Sequence, residues 1–296
     1  MTDIEKPGNR SDVISESQMA DFRSRGVTRL ENWLPADKVA RAREVVLSAL
    51  ERHGCVQQDG EWTFAGLDQL PPHKASSILR KGVKHAGSFQ HLVTPELLQA
   101  IDTLAEAALV PMSTKGQVNP GLLVSLPDAE AWSVPHTGWH VDLCRLRNRG
   151  VPPGIQLFAC LDTVAPKGGG TVVVAGSHRV LDDDPWIGPA MKHAKRLRRL
   201  PYFRDLMSAA ATDRDRFLDE PSRVGDVDLQ VVELCGEPGD AFLVDMRVLH
   251  TTAPNASRAP RLMVTQRFMR EEILEEMLAE DQARAGASSL AAEERA

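Results

Sequence analysis

The sequence predicts a mainly β fold with flanking helices, on three observations. The first 111 residues carry apolar side chains at helical spacing. From about residue 112 the chain breaks into short apolar runs separated by Gly, Pro and Asp. From residue 271 it ends in a charged, helix-like stretch. Many short strands with turn signals between them argue a β-sandwich or barrel.

Taken in order, SESQMADFRSR (15–25) reads as a short capped helix, followed by an extended piece from Gly26 to Leu34. Pro35-Ala36-Asp37 opens a second helix that Gly54 closes, with Val39, Ala42, Val46, Ala49 and Leu50 on its apolar face. Thr94-Pro95-Glu96 starts a third, running to about Val110, with Leu97, Leu98, Ile101, Leu104 and Ala108 as its inner face. The expected strands are GLLVSL (121–126), GWHVDL (138–143), GIQLFACL (154–161), GTVVVAG (170–176), DLQVVEL (228–234), DAFLVD (240–245) and RLMVTQRF (261–268). Residues 181–227 are polar and helix-like and interrupt the strand series, as a rim insertion would. The chain thus reads as one domain over 1–296: a helical flank (1–111), a β core (112–270) with its insertion, and a C-terminal helix and tail (271–296).

Composition narrows the classes. The 296 residues are 42% hydrophobic and 26% charged, as in globular proteins, and the net charge of −6 does not suggest a nucleic-acid or anionic-membrane partner. Cys55, Cys144, Cys160 and Cys235 are widely spaced with no C-x-x-C, which argues against a zinc ribbon or a disulfide scaffold. MTDIEKPGNRSD lacks the apolar run of a signal peptide, and no stretch is long and apolar enough to span a bilayer. The expectation is a cytoplasmic protein with reduced thiols and a small-molecule substrate. Oligomeric state is not readable.

The chemistry lies in the strand region. His140 and Asp142 form H-x-D, and on a strand alternate residues project from one face, so both can grip one ion. His250 ends a later apolar run. Two imidazoles and a carboxylate on one face of an octahedron are the non-haem iron(II) oxygenation set. H-x-D alone is short, and fits equally two polar residues on a half-exposed strand. Arg261 strengthens the pattern. A Pro-, Asn- and Ser-rich segment, 251–260, reads as a hairpin loop that returns Arg261 beside the metal. Arginine suits a two-pronged grip on the far carboxylate of an iron-chelating dicarboxylate. Read otherwise, Arg261 is a surface residue on a strand edge.

These motifs together resemble the phytanoyl-CoA dioxygenase-like family of iron(II)/2-oxoglutarate oxygenases. The resemblance covers about 112–270 and rests on GWHVD, LFACLDTVAPKGGGTVVVAGSHR, GEPGDAFLVD, VLHTTAPNAS and RAPRLMVTQRF in that order. It implies a double-stranded β-helix (jelly-roll, cupin-like) core. It implies His140, Asp142 and His250 as iron ligands, Arg261 as the 2-oxoglutarate clamp and Thr252 as a hydroxyl donor to the same carboxylate. It places Phe158 near the co-substrate, where core packing is an equal reading. It further implies oxidation of a C–H bond with oxygen, release of succinate and carbon dioxide, and ascorbate as an activator in vitro. Because the ligands must be neutral imidazoles, metal affinity is expected to fall in acid.

Other readings stand beside this one. His136-Thr137-Gly138 would match relatives that halogenate, where glycine replaces the carboxylate ligand. Desaturation and cyclisation use the same residues. A cupin-type isomerase or hydrolase, or a non-catalytic binding protein, shares the β core. The resemblance implies that His178, in GSHR, is not a ligand but closes a strand end. Gly168, Gly169, Gly170 and Gly176 lack phosphate-cradle spacing and read as turns. Cys144 falls on the ligand face if the strand continues: either a site of self-inactivation or a small buried apolar residue. Trp139, on the opposite parity, reads as core. Lys192, Lys195, Arg196, Arg198 and Arg199 read as a solvated helix face in preference to an anion site.

Overall fold

Ser15 and Gln18 start the first helix by a reciprocal bond. Ser15 Oγ accepts from the Gln18 amide at 3.2 Å, and Gln18 Oε1 accepts from the Ser15 amide at 2.9 Å. The computed structural model describes residues 13–58, 61–64, 89–112, 120–143, 146–180, 184–187 and 190–279, with scattered residues between 67 and 81 and at 118 and 182. Helix α1 (Glu16–Arg25) ends at Gly26 in the left-handed conformation and runs into β1 (Val27–Leu30). Helix α2 (Ala36–Arg52) buries the five apolar residues that its spacing selects.

The next elements differ from expectation. Strands β2 (Cys55–Gln58) and β3 (Glu61–Phe64) form an antiparallel pair inside a half that reads as helical. Only the four residues of β3, EWTF, alternate polar and apolar, and β2 does not, so the pattern is too short to announce the pair. Helix α3 (Pro95–Ala105), capped by Thr94, stops short of Val110. Glu106 turns left-handed at φ 52°, and Asp102 Oδ1 accepts from the Leu109 amide at 2.9 Å, bending the chain into β4 (Val110–Pro111).

Downstream lie β5 (Gly121–Ser125), β6 (Leu146–Arg147), β7 (Gly154–Cys160), β8 (Thr171–Ala175) and β9 (Trp186–Ile187). The 181–227 segment supplies α4 (Ala190–Leu197), α5 (Pro201–Leu206) and α6 (Arg216–Asp219). Then come β10 (Ser222–Val224), β11 (Val227–Glu233), β12 (Ala241–Asp245), β13 (His250–Thr252) and β14 (Arg261–Met269). A last helix, α7, spans 271–279.

Pairing among the described strands is antiparallel, and besides the two-stranded β2-β3 and β6-β9 pairs two main sheets mix distant strands. One sheet runs β1-β12-β7-β14-β4 with β5 also on β14; the other runs β10-β11-β8-β13. This is a jelly-roll arrangement, mainly β with flanking helices. Phe158, Cys160, Phe242, Val244 and Met263 of the larger sheet meet Val173 and Ala175 of the smaller in one cluster between them. The alternate residues Ile155, Leu157 and Ala159 face outward, packing with Val39, Val46, Leu97 and Ile101 of α2 and α3. Both faces of β7 are therefore covered, which is why GIQLFAC reads as an apolar run interrupted only by Gln156. The outer face of the smaller sheet, Val172, Val174, Leu229 and Val231, packs with Leu197, Phe203, Leu206 and Phe217 of the 181–227 segment.

The segment 251–260 is not a hairpin loop. Strand β13 pairs with β8, while β14 pairs with β7, β5 and β4, so the connection crosses between sheets. Asn255, fully buried, braces it: the side-chain amide donates to Ser125 O at 3.2 Å and Ala259 O at 2.8 Å. The two aspartates that lead into His250, Asp240 and Asp245, also brace backbone and arginine groups. Asp240 accepts from the amides of Asn32 (2.7 Å) and Glu237 (2.8 Å) and from Arg29 (2.6 Å). Asp245 accepts from the Arg247 amide at 2.9 Å and its guanidinium at 2.7 Å.

Candidate metal centre

His250 opens β13 opposite Val173 of β8, and directly opposed residues share a face, so its imidazole projects into the space between the sheets. The segment 138–143 does not form the expected strand. Gly138, at φ +79°, bends the chain, and only one bridge survives, between His140 and His250. That bridge is reciprocal: the His140 amide donates to His250 O at 3.0 Å, and the His250 amide to His140 O at 2.9 Å. It suffices to bring the two rings to a centroid distance of 4.5 Å.

Both rings are held the same way round. His140 Nδ1 lies 2.7 Å from Gly138 O, and His250 Nδ1 lies 3.0 Å from Val248 O. A carbonyl only accepts, so each Nδ1 carries the hydrogen and each Nε2 keeps a lone pair. The Nε2 atoms point at the Asp142 carboxylate, 3.5 Å away for His140 and 3.7 Å for His250. The ligand atoms of the three residues lie within 4.8 Å of one another, and among the described residues no other such group of three occurs. Burial alone would raise the Asp142 pKa, but His140 and His250, which donate to it when their Nε2 atoms take up a proton, and the charge of Arg267 outweigh it and hold the carboxyl well below its usual range. Its contact with Asp142 raises the His140 pKa. Two imidazole nitrogens and one carboxylate on one side of a point fit a divalent iron with open positions opposite.

Arg261 begins β14 opposite Ser125 of β5 and is buried, 3% exposed. One guanidinium nitrogen lies 3.5 Å from Thr171 Oγ1, its Nε has no partner, and no described carboxylate is within ion-pair distance. Burial pushes its pKa down to about 10. Thr252 opposes Thr171, two positions along β13 from His250. Two residues of strand span roughly 7 Å, so this polar end lies a short step from the imidazoles. Thr252 shares the His250 face and is exposed. The Phe158 ring is buried and meets the His250 ring edge-on at 6.2 Å.

The sequence reading missed Gln156 and Arg267. Gln156 donates to Asp142 Oδ2 at 3.1 Å and to Thr265 Oγ1 at 3.2 Å; Arg267 Nε lies 3.8 Å from the same Asp142 oxygen. They oppose each other across β7 and β14. The signal was present: Gln156 is the one polar residue of GIQLFAC, and it and Arg267 sit at inward parity, in step with Phe158 and Arg261.

Of the remaining candidates, His136 is exposed at the mouth of a cavity that reaches His140 and is not part of the three-residue group. His178 is buried, with Nε2 3.2 Å from Arg23 O at the end of β8. Gly176 supplies a left-handed turn, φ +86°. Trp139 is buried among the residues beneath the 181–227 helices, its indole N–H donating to Pro135 O at 2.8 Å, and it also lines the cavity. Cys144 lies outside the described residues. Among the described residues no helix is long and apolar enough to cross a membrane.

Among solved structures, AviO1 from Streptomyces viridochromogenes Tue57 is similar at 18% identity and a TM-score of 0.51, over 88% of this chain and 97% of that one. EvdO2 from Micromonospora carbonacea var. aurantiaca, solved with 2-oxoglutarate, matches at 19% and 0.46, over 86% and 91%. The alpha ketoglutarate dependent carbocyclase SnoK from nogalamycin biosynthesis matches at 18% and 0.49, over 89% and 87%. The likeness to AviO1 is one of fold. No curated protein matches the chain. The family model of phytanoyl-CoA dioxygenase matches residues 22–263, well over half of the sequence. The chain belongs to the phytanoyl-CoA dioxygenase family.

Proposed function

We propose that this protein is an iron(II)- and 2-oxoglutarate-dependent dioxygenase that hydroxylates a C–H bond of a small metabolite, with release of succinate and carbon dioxide. The observation that carries the reading is the convergence of His140, Asp142 and His250 with both Nδ1 atoms tied to backbone carbonyls. That arrangement turns three deprotonated donors toward one point before any ion arrives.

Arg261 supports the second half of the reading. A buried guanidinium with an unpartnered Nε is costly unless an anion completes it. A dicarboxylate whose far end meets Arg261, Thr171 and Thr252 would bring its near end to the imidazoles. When bound, iron and 2-oxoglutarate together supply the oxidising chemistry with molecular oxygen. The residues of this chain do the rest. His140, Asp142 and His250 hold the ion and leave one side open. Gln156 and Arg267 steady the Asp142 carboxylate, and Gln156 fixes which way it turns. Phe158 and the apolar cluster behind it keep water from the His250 imidazole.

The experiment is turnover under isotopically labelled oxygen gas with a panel of small acids, amino acids and thioesters. A product carrying one labelled oxygen, with the other in succinate, is the expected result. A product that loses hydrogen without gaining oxygen would replace hydroxylation by desaturation or cyclisation. A chlorinated product in the presence of chloride would move the assignment to halogenation.

A further inference from the structure

We propose that the cavity in front of His140 takes an anionic substrate, a carboxylate or phosphate group on an apolar body, and that Lys192 and Lys195 hold the anion. This rests on the oxygenase reading above and names its substrate class. The basic segment 192–199 reads from sequence as a solvated helix face; the structure divides it. His193, Ala194 and Leu197 of α4 are buried. Arg196 pairs with Asp184 and donates to Trp186 O at 2.9 Å. Arg198 also lines the cavity but is tethered to Met207, its Nε donating to Sδ at 3.3 Å and one terminal nitrogen to the carbonyl oxygen at 3.4 Å. Lys192 and Lys195, one turn apart, line the cavity. Among the described residues neither ammonium has a hydrogen-bond or ion-pair partner.

The cavity has a volume of about 850 Å3, and none of the described residues that line it is acidic. In a chain of 41 acidic and 35 basic residues, a described wall with ammonium groups and no acid beside a candidate metal site is a local departure. The rest of the wall is largely apolar, with Trp139, Ala194 and Met207. Organic ligands occupy cavities of roughly 300–1,000 Å3, so the space suits a whole second reactant. Arg261, Thr171 and Thr252 do not line it, so it is separate from the proposed 2-oxoglutarate end. An anion seated on the lysines would place its apolar body along Trp139 and its far carbon toward His140. The sum of two exposed ammonium contacts corresponds to roughly tenfold in affinity at low salt.

The test is calorimetric titration of octanoate, octyl phosphate and neutral octanamide into oxygen-free protein loaded with iron(II) and saturated with 2-oxoglutarate, and into metal-free protein. At least one anion should bind about tenfold more tightly than the amide, and added salt should narrow the gap. Lys192→Glu/Lys195→Glu should abolish the preference and Lys192→Gln/Lys195→Gln should reduce it. The better of the two anions identifies the head group. Equal binding of amide and anions, a preference that survives in both double variants, or no binding of any probe would overturn the proposal. An anion preference that depends on the lysines, in a protein without metal-dependent 2-oxoglutarate binding, would sink the oxygenase reading and leave the anion site standing.

Discussion

Replacing Arg261 by Met should make the protein harder to melt and unable to hold 2-oxoglutarate. Without co-substrate the guanidinium is buried with one hydrogen bond, at the 3.5 Å limit, and an unpartnered Nε. A methionine of similar length removes that buried charge. Exchanges of buried ionic groups for apolar ones of similar volume stabilise by about 1–4 kcal/mol where they are not neutral. For a chain of this size each kcal/mol moves Tm by roughly 2–4 °C, so a rise of a few degrees is expected. Removing one partner of a buried charge pair costs about 3–5 kcal/mol, which is on the order of a hundredfold to a few thousandfold in 2-oxoglutarate affinity. The assay is thermal melting of metal-loaded, oxygen-free wild type and Arg261→Met, with and without 2-oxoglutarate. Saturation at about 100 Kd should add about 2.7 kcal/mol to the wild type and at most about 0.4 kcal/mol to the variant. A variant that melts below wild type without co-substrate, or that gains as much from 2-oxoglutarate, would refute the reasoning.

Three further outcomes follow from the same geometry. Gln156→Leu removes the amide that orients Asp142; metal affinity, read by competition with a chelator, should fall about 10–100-fold, and unchanged affinity would show that the ligand needs no such support. Asp245 is fully buried, and although burial opposes it, Arg247 and His178 hold its pKa below the ordinary carboxylate value. A depressed folded pKa gives stability that is complete above the unfolded value, near 4, and lost as pH falls through the folded one. Asp245→Asn, which leaves Arg247 under-compensated, should therefore be about 3–5 kcal/mol less stable at neutral pH. Denaturant titrations should find that gap closing below about pH 4, whereas a gap constant with pH would contradict the assignment. Gly176→Ala forces a Cβ onto the Asp228 carbonyl at φ +86° and should cost about 2 kcal/mol or more; a wild-type Tm would refute the strain argument.

How far the sequence could be read depended on whether local chemistry or pairing decided each feature. Ser15, Gly26 and Thr94 are side-chain signals, and they mark real helix ends. Periodicity chose the buried face of α2 residue by residue. Strands β2 and β3 were invisible because the alternation of β3 spans only four residues and β2 has none. The segment 138–143 failed as a strand because Gly138 and the loop before it leave one bridge, yet His140 still reached His250, since that single bridge is reciprocal. The 251–260 connection looked like a hairpin because loop composition carries no information about which sheet the next strand joins. Gln156 and Arg267 stand at inward parity in the sequence, but that both reach Asp142 was legible only once β7 and β14 were known to pair. The role of Lys192 and Lys195 depended on which neighbours in 192–199 had found partners, and sequence does not say.

The measurement that bears most directly on the account is succinate release from 2-oxoglutarate by the purified protein with iron(II), ascorbate and oxygen, compared with Asp142→Ala. The account predicts succinate that requires both iron and 2-oxoglutarate and that is lost in the variant. Full activity in Asp142→Ala, or no succinate together with no metal-dependent binding of 2-oxoglutarate, would contradict it.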